Sequence, residues 1–330
     1  MTYSKQSRIS TPPGPLPTAP VVPEKATARK SRFLTAVAFA FGGIGFWSTN
    51  ALAGSTALKE LDLGVVLTLQ FASATLALAV IVAAQESRRR ARPVRQGPPL
   101  TRSDYLRSGL VGLIGFCGTQ TTQYVGFAYA PIVESNIIAY AWPMFAAIWL
   151  AVTAWSRRTF VGFLFSLLGF LGVAIMTVAQ NSGSGGGSPL GYVAALVSAL
   201  CMAYYTLASG AARAPATYGM LMGGVVGTLL ALVIAFSTTT DWDPSLAWLA
   251  MCYVGIGPCA AGFLLWSAGM ARSDGRLAPL GYATPVLSTC VLLLSGRTFG
   301  DASAAVGAFL VLLCTVGVLV NDRLSGEQRL

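Results

Sequence analysis

Residues 140–143 read Tyr140-Ala141-Trp142-Pro143, and residues 282–285 read Tyr282-Ala283-Thr284-Pro285. The two stretches lie 142 residues apart. At the same offset Gly115-Phe116-Cys117 matches Gly257-Pro258-Cys259, and Tyr124 falls on Trp266. Arg158-Thr159-Phe160 matches Arg297-Thr298-Phe299 at an offset of 139, and Gly172-Val173 matches Gly317-Val318 at 145. Matches in constant order at a nearly constant offset mark an internal repeat.

The material between these matches is apolar. Of 330 residues 54% are hydrophobic and 10% charged, where a soluble domain carries about 25% charged residues. Mean hydropathy is +0.64. A spanning helix needs about 20 apolar residues. Apolar segments fall at 33–53, 63–83, 107–127, 131–154, 160–179, 190–210, 218–236, 246–270, 277–296 and 303–320. The expected fold is an all-α polytopic membrane protein with ten transmembrane helices arranged as two inverted five-helix repeats. Five is odd, so the second half enters the membrane upside down relative to the first, an arrangement common in secondary transporters. The expected organisation is a disordered extension over 1–32, repeats over 33–180 and 190–321, a Gly/Ser linker over 181–189 and a tail over 322–330. Ala51-Leu52-Ala53 looks like a signal-peptidase site. The repeat needs the first helix as partner of the sixth, so that segment is read as a retained span.

The net charge of +10 invites a nucleic-acid reading until the charges are placed. Twenty of the 22 Lys and Arg fall on one side of the ten-span arrangement; Lys59 and Arg297 alone fall on the other. The positive-inside rule makes the crowded side, with both termini, cytoplasmic. The basic surplus is a topology signal, and no nucleic-acid partner is expected.

Absences narrow the chemistry. With no histidine there is no Ser-His-Asp catalysis and no histidine metal site or proton relay. None of the lysines follows a phosphate-loop glycine pattern. The six cysteines form no Cys-x-x-Cys and read as small buried hydrophobes. No cofactor, metal or enzymatic activity is expected. A channel would want a ring of like charges or carbonyl loops, and none is visible.

Pro143 lies 12 residues beyond the expected helix start at Pro131, or about 18 Å. Pro285 lies 8 residues beyond Leu277, or about 12 Å. In a hydrocarbon core of about 30 Å both reach the middle third, from opposite faces. Each is expected to kink its helix and free carbonyls toward a cavity.

Phe46-Trp47-Ser48-Thr49, Tyr140-Ala141-Trp142-Pro143 and Tyr282-Ala283-Thr284-Pro285-Val286-Leu287-Ser288 resemble the drug/metabolite transporter superfamily, of the EamA-like kind. A Glu eight residues before the Trp of Tyr-x-Trp-Pro, here Glu134 before Trp142, is similar to the pattern of bacterial aromatic amino acid exporters in that superfamily. The resemblance covers about 33–320. It implies amino-acid export across a bacterial inner membrane, a central cavity shared by both halves, and peripheral fifth and tenth helices. The long basic loop and the N-terminal extension depart from it.

The residues themselves point to a neutral, aromatic-lined substrate site: Trp47, Gln120, Tyr124, Tyr140, Trp142, Tyr204, Trp266 and Tyr282. An amino-acid zwitterion carries no net charge, so amides, hydroxyls and rings can hold it where midplane Lys and Arg are lacking. Phosphorylated cargo would want those cations. Glu134 is the one acid inside an expected span. It either binds a substrate ammonium or coupling proton, or suits the positive end of its own helix. Pro143 and Pro285 are the expected kinks. The expected partners are the small-molecule substrate and the bilayer. Nothing in the sequence sets the oligomeric state, and a monomer is compatible with it.

Overall fold

The computed structural model describes residues 24–91, 100–178, 187–237, 242–284, 286–287 and 302–327, and within these there is helix and turn but no strand. Helix α1 runs Glu24–Glu60 and α2 runs Leu63–Ala91. α1 begins inside the stretch expected as a disordered extension. Ala26, Ala28 and the Lys and Arg side chains around them are good helix formers. It also passes unbroken through Ala51-Leu52-Ala53. Pro285, Cys290 and Arg297 lie outside the described residues.

α3 is a continuous rod over 102–129. It starts on a capping box: the Thr101 hydroxyl accepts from the Asp104 N–H at 3.3 Å, and the Thr101 N–H donates to the Asp104 carboxylate at 2.8 Å. That backbone donor, with the Thr101 hydroxyl second, holds the Asp104 carboxyl below its ordinary value. Arg213 reaches the same carboxylate at 3.3 Å.

The remaining helices are α4 (Ile132–Ala139), α5 (Trp142–Thr153), α6 (Arg157–Val178), α7 (Pro189–Ala208), α8 (Ala216–Ser237), α9 (246–273) and α10 (Ala302–Glu327). A short 3-10 turn, Ala278–Tyr282, follows α9. Ser188 caps α7 with its side chain and Ser245 caps α9.

α3 and α9 share one internal plan. Each has 9 α-helical residues, then 8 with the wider π spacing, then 11 α-helical residues. Every boundary in one lies 144 residues from its counterpart in the other.

The packing is reciprocal as well. Along α3, Gly115, Gly118 and Gly126 face Tyr205, Cys201 and Ala195 of α7. Numbers rise on one helix as they fall on the other, so the pair is antiparallel. α9 meets α1 in the same way, with Gly262 against Phe46 and Trp47 and Gly269 against Ala36 and Ala40. α2 and α8 cross antiparallel through Gly64 on Ala235, Phe71 on Gly227 and Thr75 on Gly224. α6 and α10 do so through Gly172 on Gly307 and Phe165 on Gly317.

Among the described residues, seven helices are long and apolar enough to cross a membrane, against ten expected. The other three expected spans have separate explanations. The α3 rod is long enough, but Thr119, Gln120, Thr121, Thr122 and Gln123 lower its hydropathy. The 277–296 span is described only to residue 287, and in α10 the apolar stretch is Phe309–Asn321. Leu76, Val152, Phe236 and Leu246 point outward. In water such a surface would drive association; against lipid it is at home, because the helices satisfy their own backbone groups. The chain is a multi-pass membrane protein.

Candidate functional site

Four helices and a break converge on one cavity of about 70 Å³. α1 brings Trp47 and Asn50, α3 brings Thr119, Gln120 and Gln123, and α7 brings Ser198 and Met202. Ala139, Tyr140 and Trp142 come from the α4–α5 break, Phe263 from α9, and Thr284 from beyond the 3-10 turn. No lining residue carries a formal charge.

The break is a sequence effect. Tyr140 closes α4, its N–H bonding to Asn136 O at 2.9 Å, and the Ala141 N–H closes a tighter, three-residue turn on Ile138 O at 3.0 Å. α5 then starts at Trp142 with Pro143 in its first turn, where the missing N–H costs nothing. Pro143 was expected to kink one helix; instead it opens a new one, and Tyr140 and Trp142 are left at the mouth of the gap.

The π segments adjoin the cavity lining. Pro258 sits within the α9 π segment, and its carbonyl accepts the Trp47 indole N–H at 3.0 Å. Thr119 and Phe263 are the residues that follow the two π segments, and both line the cavity. Neither Phe263 nor Thr119 was among the candidates; they correspond only at the 144-residue offset of the helix segments, not at the 142-residue offset of the sequence matches.

The rings form two layers. Trp47 and Trp142 face the cavity. Trp266 is fully buried behind them, with ring centroids 5.2 Å from Trp47 and 5.3 Å from Trp142. Its indole donates to Thr206 at 3.1 Å. Phe263 joins the cluster at 5.4 Å from Trp47 and 5.0 Å from Tyr205. Each such pair adds about 0.5–1.5 kcal/mol beyond burial, so the wall is stiff.

Of the eight residues expected to line the site, Trp47, Gln120, Tyr140 and Trp142 do so. Trp266 forms the second layer. Tyr124 lies beside the site, buried, its hydroxyl reaching Asn50 at 3.4 Å. Tyr204 packs on the core without reaching the cavity. Tyr282 is wholly buried in the 3-10 turn against Gly169 and does not line the cavity. Pro285 falls outside the described residues.

One cysteine departs from the inert reading. Cys259 is buried in the α9 π segment, and its sulfur accepts amide N–H bonds from Gln70 at 3.1 Å and Gln120 at 2.7 Å. Three helices are thereby tied together at Gln120, a lining residue of the cavity. The repeat match of Cys259 with Cys117 carried no sign of this, because the amides arrive from α2 and α3.

Glu134 is not a lining residue. It occupies the first turn of α4, and the Tyr192 hydroxyl of α7 donates to its carboxylate. The Tyr192 oxygen also takes the Gly187 N–H at 2.9 Å. A carboxylate at a helix start is favoured by the helix dipole, and here it also joins the first half to the second.

The comparisons agree with this architecture. The sequence model of the EamA-like transporter family matches residues 34–178. The aromatic amino acid exporter YddG of Ancylobacter novellus is 29% identical over 205 residues, covering 61% of this chain and 71% of that protein. A protein of known crystal structure, 23% identical, superposes with a TM-score of 0.70, covering 87% of this chain and 98% of its own. At that identity the likeness concerns the fold. The resemblance to the EamA-like transporter family that the sequence motifs carry is thereby shown.

Proposed function

We propose that this EamA-like chain is a secondary transporter that exports small neutral organic solutes, aromatic amino acids foremost, across a bacterial inner membrane. The observation that carries the reading is the uncharged cavity lined by both rings and amides. Gln120, Gln123, Asn50 and Thr119 offer donors and acceptors to a zwitterion's head. Trp47, Tyr140, Trp142 and Phe263 offer faces and edges to a ring and a π surface to an ammonium. The relative named as an aromatic amino acid exporter supports the substrate class.

Size and symmetry support alternating access. An apolar cavity of about 150 Å³ takes one benzene. The cavity here, at about 70 Å³, has room for several waters and must widen for an aromatic side chain. The matched α3 and α9 rods and their reciprocal packing support two inverted five-helix halves that rock about this site. In that arrangement both termini are cytoplasmic. The orientation is tested by thiol labelling of single cysteines in an otherwise cysteine-free chain. An impermeant reagent added outside should reach position 243 and leave position 90 untouched; the reverse pattern overturns the topology.

The transport reading is tested with the full chain in proteoliposomes loaded with labelled amino acids, with and without a proton gradient. Saturable counterflow that favours phenylalanine and tryptophan over alanine is the expected result. Chemically altered substrate, or flux that never saturates, would overturn it. Glu134 enters this assay as the coupling group. Glu134→Gln should reduce flux or remove its dependence on the gradient, whereas unchanged flux in both conditions would return Glu134 to helix-end electrostatics and the Tyr192 contact.

A further inference from the structure

What the ring-lined cavity offers a ligand depends on where its own hydrogens go. A hydroxyl carries one hydrogen and two lone pairs, and a primary amide has a donor end and an acceptor end. Thr119 donates its hydroxyl hydrogen to the Gly115 carbonyl. Ser198 donates its own to the Thr119 carbonyl at 3.0 Å. The Gln120 amide nitrogen donates to the Cys259 sulfur at 2.7 Å, and the Gln120 oxygen makes no hydrogen bond among the described residues. All three residues line the cavity. Their hydrogens are spent on protein atoms, so the lone pairs on their side-chain oxygens are what remains for a ligand.

The orientation of Gln120 is built from behind. Cys259 is wholly buried in the π segment of α9, and a second amide, Gln70 of α2, donates to the same sulfur at 3.1 Å. Gln70 is itself wholly buried and does not line the cavity. Its oxygen has no partner among the described residues. Burying an unpaired amide oxygen is costly, and the amide that bears this cost is the one that fixes the sulfur. One residue earlier, the Pro258 carbonyl takes the indole hydrogen of Trp47. Consecutive residues of one π segment thus aim two lining side chains. Asn50 has the reverse polarity: its oxygen takes the Tyr124 hydroxyl at 3.4 Å, which leaves its N–H donors.

An ammonium has three hydrogens and no lone pair, and an ionised carboxylate only accepts. A wall of oxygen lone pairs therefore suits the first and not the second. We propose that Thr119, Gln120 and Ser198 form a subsite for the ammonium of a primary amine, with Cys259 as the positioning residue that turns the Gln120 oxygen toward it. The inference deepens the transport reading and rests on it for the cargo: a protonated amino group is the feature the cargo must carry.

The test is the rise in melting temperature of the purified full-length protein with each ligand, since binding to the native state alone stabilises it. It needs no transport. Phenylalaninol keeps the ammonium and lacks the carboxylate; 3-phenylpropanoate and N-acetylphenylalanine keep the carboxylate and lack the ammonium. Phenylalaninol should bind about tenfold or more tightly than either, the scale of hydrogen bonds to a charged group. Cys259→Ala releases the Gln120 amide and should narrow that ratio. Cys259→Ser, whose hydroxyl can accept the same amide hydrogens, should restore it. A cysteine that only fills space gives the opposite order, because alanine is the better buried replacement. Equal binding of phenylalaninol and 3-phenylpropanoate by the wild type, or no stabilisation by any aromatic amine, overturns the subsite. A wild-type ratio in Cys259→Ala overturns the positioning role. Amine preference without counterflow in proteoliposomes would leave the subsite standing and sink the transport reading instead.

Discussion

Gly112→Val is expected to abolish the folded protein. A Cβ at Gly112 would overlap the backbone carbonyl of Gly219, and the Gly112 carbonyl itself lies where a Cβ at Gly223 would stand. Here α3 and α8 meet backbone to backbone, the close approach that small residues permit in membrane bundles. Overpacking against movable side chains costs about 1–3 kcal/mol. Two helix backbones have no rotamer to change, so the helices must separate along the π segment that shapes the cavity. The cost then approaches the whole stability of a folded protein, about 5–15 kcal/mol. Size-exclusion of detergent extracts should show loss of the monodisperse species. Gly162→Ala is the matched control, because a Cβ there is unopposed. It should be neutral or stabilising by up to about 1 kcal/mol. A Gly112→Val protein that melts with the wild type would remove the close-approach account.

Trp142→Ala should lower phenylalanine and tryptophan transport about tenfold more than alanine transport. Trp142 lines the cavity, is 6% exposed, and lies against Gly281 on one side and edge-on to Trp266 at 5.3 Å on the other. Removing it takes away one ring contact with an aromatic substrate, about 0.5–1.5 kcal/mol, together with the apolar area buried around that ring. It also leaves a void beside the second layer, which loosens the site for every substrate. The selective part is therefore read as a ratio between substrates, after matching expression and melting temperature. Trp47→Ala should act in the same direction, with the added loss of the bond to Pro258. Tyr282→Ala is the counter-test. That ring is buried against Gly169, away from the cavity, so its loss should depress all substrates alike. Equal ratios in all three variants would reduce Trp142 and Trp47 to packing groups.

Much of the helical framework was legible from residue order. The apolar segments locate α1, α2 and α6 to α8 because hydropathy is a property of neighbours in sequence. The 142-residue offset was visible for the same reason, and α3 and α9 repeat each other's segment lengths. Tyr140, Trp142 and Gln120 were nameable as cavity residues from one turn motif and one polar helix face. Other features had no local signal. The π spacing of 111–118 and 255–262 arises where a rod meets partners on several sides, and nothing in Gly115 or Gly257 alone specifies it. Glu134 reads as an isolated acid until Tyr192 arrives from the other half.

Sequence by itself determined that the chain is a membrane helical bundle with a repeated plan, because burial in lipid demands long apolar runs and repeats persist in residue order. Tertiary structure decided which aromatic rings face the cavity. Trp142, Trp266 and Tyr282 are equally deep and equally aromatic, yet one lines the site, one backs it and one packs against Gly169. The difference is the direction each helix presents to its neighbours. That direction is set by glycine contacts between segments more than a hundred residues apart, which no reading of one segment at a time contains.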